Sequence, residues 1–210
     1  MKKILFYIML FSVSFSMSSQ IKAVTENGDE VVLYNDKTWK FINESIDEVK
    51  EIPINDVLFK KDKKSTFLVK SNKISMGVLI NPKKWSFKKN PINDEAEYQF
   101  QLKGGDLYGM MITEKIEIPV ETIKNLALQN AREVAPDIKS VKEEYRTVNG
   151  KKILMMQMNG TMQGIKFTYY SYYYSNKNGV VQLVTYTSAN LLDTYLEEIE
   201  KFLNGFVTID

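Results

Sequence analysis

Alternating apolar and polar residues mark the clearest strand in the sequence, at residues 95–103. Tyr98 and Phe100 fall on one side of an extended chain and polar residues fall on the other, which is typical of a strand with one buried face. Because Asn149-Gly150 provides a tight turn, the strands on either side of it are expected to form a hairpin. Apolar runs bounded by Asn, Gly or Pro predict further strands at residues 65–70, 75–80, 107–113, 138–147, 151–158, 165–174 and 180–187.

Two segments change to the spacing of three and four residues that an amphipathic helix requires. The first begins at Pro119, a residue type that is common at the first helical position, and extends to Pro136. The second spans residues 190–204, and Gly205 follows it as the expected C-terminal cap. Strands 151–158 and 165–174 carry apolar or aromatic residues on both faces, so they need cover on both sides. We therefore predict an α+β fold, an α/β/α sandwich with a central antiparallel sheet and two amphipathic helices.

The N-terminal third of the chain has a different pattern. Residues 1–19 combine Lys2 and Lys3 with a twelve-residue apolar run and a serine-rich end, which is the layout of a secretory signal peptide. Residues 20–42 show three short apolar bursts separated by turn sequences and predict a small three-strand β-meander. Residues 43–64 are charged and are predicted to be a linker, so the sandwich domain is assigned to residues 65–210.

The sandwich segment resembles the PsbP-like superfamily of photosystem II extrinsic subunits and their bacterial relatives. The resemblance rests on Asn81-Pro82-Lys83-Lys84-Trp85 after an early strand, on the hairpin sequence Val148-Asn149-Gly150, and on Tyr186-Thr187-Ser188 before the last helix. It implies an α/β/α sandwich for residues 65–210 and a role in binding or assembly rather than catalysis. The segment 20–42 resembles a short hairpin module of uncharacterised exported bacterial proteins. Neither resemblance transfers a catalytic residue to this chain.

The amino-acid composition excludes several classes of functional site. The chain of 210 residues contains no Cys and no His, which excludes disulfides, thiolate nucleophiles, Ser-His-Asp triads and zinc held by thiolate or imidazole. Its 28 Lys and Arg residues stand against 26 Asp and Glu residues. Without Lys2 and Lys3 of the leader the two signs balance, which argues against a nucleic-acid partner because such proteins usually carry a basic excess.

A run of tyrosines is the most prominent candidate for binding. On a strand, Lys166, Thr168, Tyr170, Tyr172 and Tyr174 point one way, and Phe167, Tyr169, Ser171 and Tyr173 point the other. Tyrosine suits a binding surface because it joins an apolar ring to a polar tip, and it equally suits a strand packed under a helix. Lys166 and Thr168 mark the first row as the wetter side, so Tyr170, Tyr172, Tyr174 and Lys166 are predicted to be the binding residues.

Two further segments offer other chemistries. Residues 83–89 interleave four lysines with Trp85 and Phe87, a pattern typical of a surface-adhering patch, although Trp85 and Phe87 can instead plug the core. Glu95 and Glu97 share the polar side of their strand about 7 Å apart, which imitates the carboxylate pair of a glycosidase, but an ordinary solvated strand has the same pattern.

These observations favour an exported, non-enzymatic binding or assembly protein of the bacterial cell envelope. Its partner is expected to be an envelope protein or a small ligand, bound through Tyr170, Tyr172, Tyr174, Lys166 and Trp85. We expect no cofactor, no metal and no transmembrane segment after signal cleavage. The absence of Cys near the cleavage point leaves no site for a lipoprotein anchor, so a periplasmic or secreted location is expected. A hydrolase that uses Glu95 or Glu97 on envelope polysaccharide is the alternative.

Overall fold

The structure is a computed structural model that describes residues 21–25, 30–34, 39–41, 51–89 and 95–209. The chain divides into two compact units, residues 1–47 and residues 48–210. In the first unit, β1 (Ile21–Val24), β2 (Glu30–Leu33) and β3 (Trp39–Phe41) form an antiparallel sheet in that order. These strands match the predicted meander, whereas the predicted signal peptide lies outside the described residues.

The second unit is built around a large sheet. Its elements are β4 (Ile54–Phe59), β5 (Phe67–Lys70), β6 (Met76–Ile80), β7 (Trp85–Lys89), β8 (Tyr98–Leu102), β9 (Tyr108–Glu114), α1 (Val120–Val134), β10 (Lys139–Val148), β11 (Lys151–Met162), β12 (Ile165–Asn176), β13 (Gly179–Ser188), α2 (Leu192–Leu203) and β14 (Phe206–Thr208). The large sheet has eight strands in the order β4-β10-β11-β12-β13-β9-β8-β7, and β14-β6-β5 form a second sheet. A short 3-10 turn, Ala189–Leu191, leads into α2.

Each face of the large sheet has its own core. On one face, α2 contacts β12, β13 and β6, and residues such as Trp85, Phe100 and Phe202 pack together. On the other face, α1 contacts β11 and β12, and Ile123 packs with Leu154 and other buried residues. The predicted mixed α+β architecture with a large sheet and two helices is therefore confirmed. In the described part of the chain, none of the helices is long and apolar enough to cross a membrane.

The structure departs from the prediction at the margins of the sheet. Residues 54–59, predicted as part of a linker, form the edge strand β4, which pairs parallel with β10, so the sheet is not wholly antiparallel. The strands β7 and β14 were not predicted either. All three are short and pair with distant segments or at sheet edges, so their sequences carry little local signal.

Gly205 differs in role from the predicted helix cap. Asn204 caps α2 and has a right-handed conformation, and Gly205 lies next to the carbonyl oxygen of Leu79. A Cβ atom at position 205 would fall 2.0 Å from that oxygen. Glycine is required there because the turn into β14 presses against β6, which is a close approach rather than a special backbone angle.

Candidate binding face

A buried arginine organises the tyrosines of β12. Arg146 of β10 is 3% exposed, and its guanidinium donates hydrogen bonds to the hydroxyl oxygens of Tyr172 at 3.0 Å and Tyr170 at 2.8 Å. It also donates to Glu144 Oε1 at 2.5 Å and to Glu200 Oε1 at 3.2 Å. A buried charge is tolerated when it is paired and fully hydrogen-bonded, so this cluster is a completed polar network inside the core.

The remaining contacts close the network. The Phe59 ring lies 4.4 Å from the Arg146 guanidinium carbon, and the Tyr172 hydroxyl donates to Asn204 Oδ1 at 2.9 Å. Burial raises the pKa of Tyr170 to about 12, although Arg146 acts in the opposite direction, and burial also raises the pKa of Tyr172. Both phenols therefore stay neutral and remain hydrogen-bond donors at physiological pH.

The predicted wetter side of β12 is in fact the side under α2, which is a correction. Tyr170 is 4% exposed and Tyr172 is 2% exposed, because α2 and its hydrophobic core cover this row. Tyr174 is half-buried against the Phe206 ring, 5.1 Å between centroids. Lys166 is exposed at the start of the strand. The structure does not gather Lys166 and the tyrosines into one accessible surface.

Trp85 is not part of a surface patch, although the four lysines of residues 83–89 are exposed. Trp85 is 3% exposed and its ring packs 4.4 Å from that of Phe202 in α2, so it plugs the core. Lys84 pairs with Glu198, and Lys103 donates to the carbonyl of Pro82 at 2.8 Å. Only Phe87 remains as an exposed aromatic in residues 83–89.

Glu97, one of the two glutamates of the predicted pair, is buried and engaged in hydrogen bonds. Glu97 is 7% exposed, and its Oε2 accepts hydrogen bonds from the hydroxyls of Ser71 and Thr113, each at 2.6 Å. Its Oε1 accepts from the backbone and side-chain amides of Asn72 at 2.6 and 2.7 Å. The predicted solvated face is wrong here, because regular strand geometry starts only at Tyr98 and the alternation does not extend back to residue 97.

The electrostatics of Glu97 lead to the same conclusion. Burial acts to raise its pKa, but the hydrogen bonds from Ser71, Thr113 and Asn72 outweigh that effect and lower the pKa below its ordinary value. A general acid needs the opposite shift. Glu97 is therefore a carboxylate that is ionised at neutral pH and hydrogen-bonded through both oxygens, and it ties the turn before β6 to β9. In the residues that the structure describes, no group of three or more Asp and Glu side chains is arranged to hold a metal ion.

The accessible side chains lie on the opposite face of the sheet. Because α1 packs on β11 and β12, residues of β7, β8, β9 and β13 on the same side stay partly or fully exposed. We call this surface, together with the adjoining residues of β12, the open face. Its members are Ser86, Lys88, Gln99, Gln101, Tyr108, Met110, Ile112, Gln182, Tyr186, Phe167 and Tyr169.

Aromatic rings form a ladder across three strands of the open face. Tyr108 of β9 stacks on Tyr186 of β13 with centroids 5.4 Å apart, and Tyr169 of β12 meets Tyr186 edge to face at 6.0 Å. Phe167 extends the ladder at 5.1 Å from Tyr169, and Gln99 Nε2 donates to the Tyr186 hydroxyl at 3.4 Å. Half-buried tyrosines with amide neighbours offer rigid rings and polar tips, which is the composition of a recognition surface.

Two cavities flank the aromatic ladder. One, of about 170 Å³, is lined by side chains of β7 and β8 and by Tyr108. The other, of about 160 Å³, lies between α1 and the sheet and is lined by residues that include Tyr169, Tyr173 and Gln182. Concave, mostly apolar sites with a few polar groups are where small ligands usually bind.

Only some residues of the open face could be predicted from the sequence. The row Phe167, Tyr169 and Tyr173 is visible in the alternation of β12. Tyr108 and Tyr186 join it only through the pairing of β13 with both β12 and β9. That pairing depends on strand order, which the local pattern does not reveal.

Comparison with known proteins supports the fold. No family model matches the sequence, and no curated protein matches it. The structure is similar to the solution structure of cyanobacterial PsbP (CyanoP) from Synechocystis sp., with a TM-score of 0.53, 10% sequence identity, and coverage of 70% of this chain and 94% of that one. The resemblance to PsbP is thus confirmed at the level of fold.

Two further solved structures align with lower TM-scores. The crystal structure of LpqN, involved in cell envelope biogenesis of Mycobacterium tuberculosis, aligns with a TM-score of 0.45 and 11% identity over 69% of this chain and 90% of that one. A protein from Bacteroides thetaiotaomicron aligns with a TM-score of 0.44 and 9% identity over 70% of this chain and 49% of that one. Sequence identities this low show no shared activity.

Proposed function

We propose that this protein is an exported, non-enzymatic binding or assembly protein of the bacterial cell envelope that holds its partner on the open face. The observation that carries the proposal is the asymmetry of the large sheet. One face is covered by α2 and the small sheet. On the other face, α1 covers β11 and β12, and the aromatic ladder lies exposed next to α1. Partly exposed aromatic side chains clustered on one side typically mark a binding surface.

Charge and chemistry support binding rather than turnover. The open face combines hydroxyls, amides and ring edges, and Lys88 is its one charged member as defined above. Glu97, one of the two glutamates in the hydrolase hypothesis, already accepts four hydrogen bonds from neighbouring residues. The signal-peptide pattern in the sequence of residues 1–19 supports export to the envelope.

Site-specific photo-crosslinking in intact cells tests this function. A photo-reactive amino acid replaces Gln101, an exposed member of the open face, and in parallel replaces Lys166 or Lys177, which are exposed elsewhere on the same domain. We expect irradiation to give a discrete adduct from position 101, because only that side chain lies within reach of the bound partner. Adduct formation is measured by the mobility shift of the full chain on a denaturing gel.

The two other positions are the matched controls. Adducts of equal yield at positions 101, 166 and 177 would indicate non-specific crosslinking. An adduct at position 166 alone would indicate that the partner binds at the surface predicted from the sequence. Either result would overturn the assignment of binding to the open face.

A further inference from the structure

A cavity at the β4 edge of the large sheet is larger than the two cavities beside the aromatic ladder. It measures about 480 Å³, whereas those two measure about 160 and 170 Å³. It is lined by the end of β4, the segment that follows β4, and the turn between β10 and β11. Pockets that hold small molecules usually measure roughly 300–1,000 Å³, and this cavity alone of the three lies in that range. We call it the edge cavity.

Three lysines and no acidic residue line the edge cavity. Lys60, Lys61 and Lys63 are all exposed, and none of them forms an ion pair with another residue in the described part of the chain. Asp62 lies between them in sequence, but it lines a different cavity, next to α2. Its Oδ1 accepts a hydrogen bond from the backbone amide of Lys64 at 2.9 Å. The edge cavity therefore concentrates positive charge, which attracts anions.

The end of β4 gives the edge cavity an apolar wall. Leu58 lines the cavity and is 69% exposed. Phe59, the next lining residue, is half-buried, and its ring lies 4.4 Å from the guanidinium carbon of Arg146. Burial of apolar surface and pairing of opposite charges both favour binding. A ligand that uses this site fully therefore carries an apolar part and a negative charge.

The side chain of Asn149, in the turn between β10 and β11, holds the edge cavity in shape. Its Oδ1 accepts a hydrogen bond from the backbone amide of Lys61 at 3.0 Å, and its backbone amide donates to the carbonyl of Phe59 at 3.0 Å. Its side-chain amide donates to the carbonyls of Asn204 and Phe206, each at 2.8 Å. These bonds tie the lysine segment to the sheet before any ligand arrives. A site that is already ordered loses less conformational entropy on binding.

We propose that the edge cavity binds a small anionic molecule with an apolar body, a carboxylate or a phosphate ester. The ammonium groups of Lys60, Lys61 and Lys63 hold the anionic group, and the apolar body packs against Leu58. The site goes beyond the proposed function and does not depend on it. It lies at β4, which is one edge of the large sheet, whereas β7 of the open face is the other edge.

Naphthyl phosphate is the probe because it joins an anionic group to an apolar ring system. Titration of the isotope-labelled protein is followed by NMR through the backbone amide signals of Lys61 and Gly150, which both line the edge cavity. We expect saturable shifts of both signals. Inorganic phosphate lacks the apolar body and naphthol lacks the charge, so each should bind roughly tenfold more weakly than naphthyl phosphate or less.

Two triple variants with the same loss of charge isolate the lysines. The first changes the three lysines of the edge cavity to glutamine and should bind naphthyl phosphate roughly tenfold more weakly or less. The second changes three exposed lysines that do not line the cavity: Lys89, Lys139 and Lys166. It should keep the affinity within about twofold, because salt screens exposed charges beyond about 8 Å at physiological ionic strength. An equal loss of affinity in both variants would indicate attraction to net charge alone and would overturn the proposal.

A pair of uncharged substitutions tests the apolar wall. Leu58→Gln should weaken the binding of naphthyl phosphate by roughly three- to tenfold, because the ring loses an apolar contact. Ile54→Gln is the matched control, since Ile54 is 67% exposed on the same strand but does not line the cavity, and it should leave the affinity unchanged. An equal affinity of wild type and Leu58→Gln, shifts that spare Lys61 and Gly150, or no saturation by naphthyl phosphate would each contradict the proposal.

A membrane is the other source of anions with apolar bodies. If the protein sediments with phosphatidylglycerol vesicles through the same three lysines and does not bind naphthyl phosphate, the surface is a lipid-docking surface and the small-molecule site is wrong. Failure of naphthyl phosphate to bind leaves the crosslink at position 101 unaffected, so this proposal and the proposed function fail separately.

Discussion

At the residue scale, the alternation of β12 correctly separates its side chains into two rows, but it misjudges which row is wet. Lys166 is exposed and lies at the start of the strand, whereas Thr168 in the same row is only 1% exposed. Polar residues near the end of a strand therefore indicate solvent exposure at that end only. Arg146, which donates hydrogen bonds to Tyr170 and Tyr172, lies on another strand. No local sequence pattern predicts this contact.

Adjacent tyrosines of β12 should respond to different extents to loss of the hydroxyl. Tyr172→Phe strands the Arg146 donor and the Asn204 acceptor, and should lower the free energy of unfolding by about 1–3 kcal/mol. Tyr173→Phe removes a hydroxyl whose one hydrogen-bonding neighbour is the hydroxyl of Ser171, so it should lower the free energy of unfolding by less than Tyr172→Phe does, by about 1 kcal/mol at most. Urea denaturation measures both variants.

The comparison has a clear contrary result. If Tyr173→Phe destabilises the protein as much as Tyr172→Phe does, then the Tyr173 hydroxyl forms hydrogen bonds as strong as those of the Tyr172 hydroxyl, and the contrast drawn between the two is wrong.

At the element scale, segments with strong local signals were predicted well and segments that depend on distant partners were not. The two helices and the hairpins of β10 to β13 have periodic cores and turn residues close in sequence. By contrast, β4 becomes a strand only by pairing with β10, and β14 only by pairing with β6. Their few residues do not determine a strand without that partner.

Glu97 links elements in a way that should make stability depend on pH. Because hydrogen bonds lower its pKa in the folded protein relative to the ordinary value of 4.5, its ionised form stabilises the fold above that value. The stabilisation should be lost as the pH falls through the lowered pKa. We expect the free energy of unfolding to decline on acidification below pH 4.5, and Glu97→Gln to reduce that decline.

Comparison of Glu97→Gln with the wild type isolates the contribution of the carboxylate. Denaturation midpoints at neutral pH and at successively lower pH are compared between wild type and Glu97→Gln. At neutral pH the variant should be less stable by roughly 1–3 kcal/mol, because hydrogen bonds to a charged acceptor are the stronger ones. Parallel pH profiles for the two proteins would show that the carboxylate is not held in this way.

At the scale of the whole molecule, the fold class follows from the sequence but the open face does not. Amphipathic helices and strands apolar on both faces indicate a sheet with a helix on each side. How far each helix covers the sheet depends on strand order, and here the order brings β13, β9 and β8 beyond the cover of α1. The exposed ladder of Tyr108, Tyr186 and Tyr169 is a consequence of that order.

Mass-spectrometric footprinting with a tyrosine-selective reagent tests the central claim that this face, and not the predicted row, binds the partner. The protein is labelled free and in the complex isolated from cells. We predict that Tyr108 and Tyr186 are modified in the free protein and protected in the complex, whereas Tyr170 and Tyr172 stay unmodified in both. Equal modification of Tyr108 and Tyr186 in the two states, or rapid modification of Tyr170 and Tyr172 in the free protein, would contradict the account.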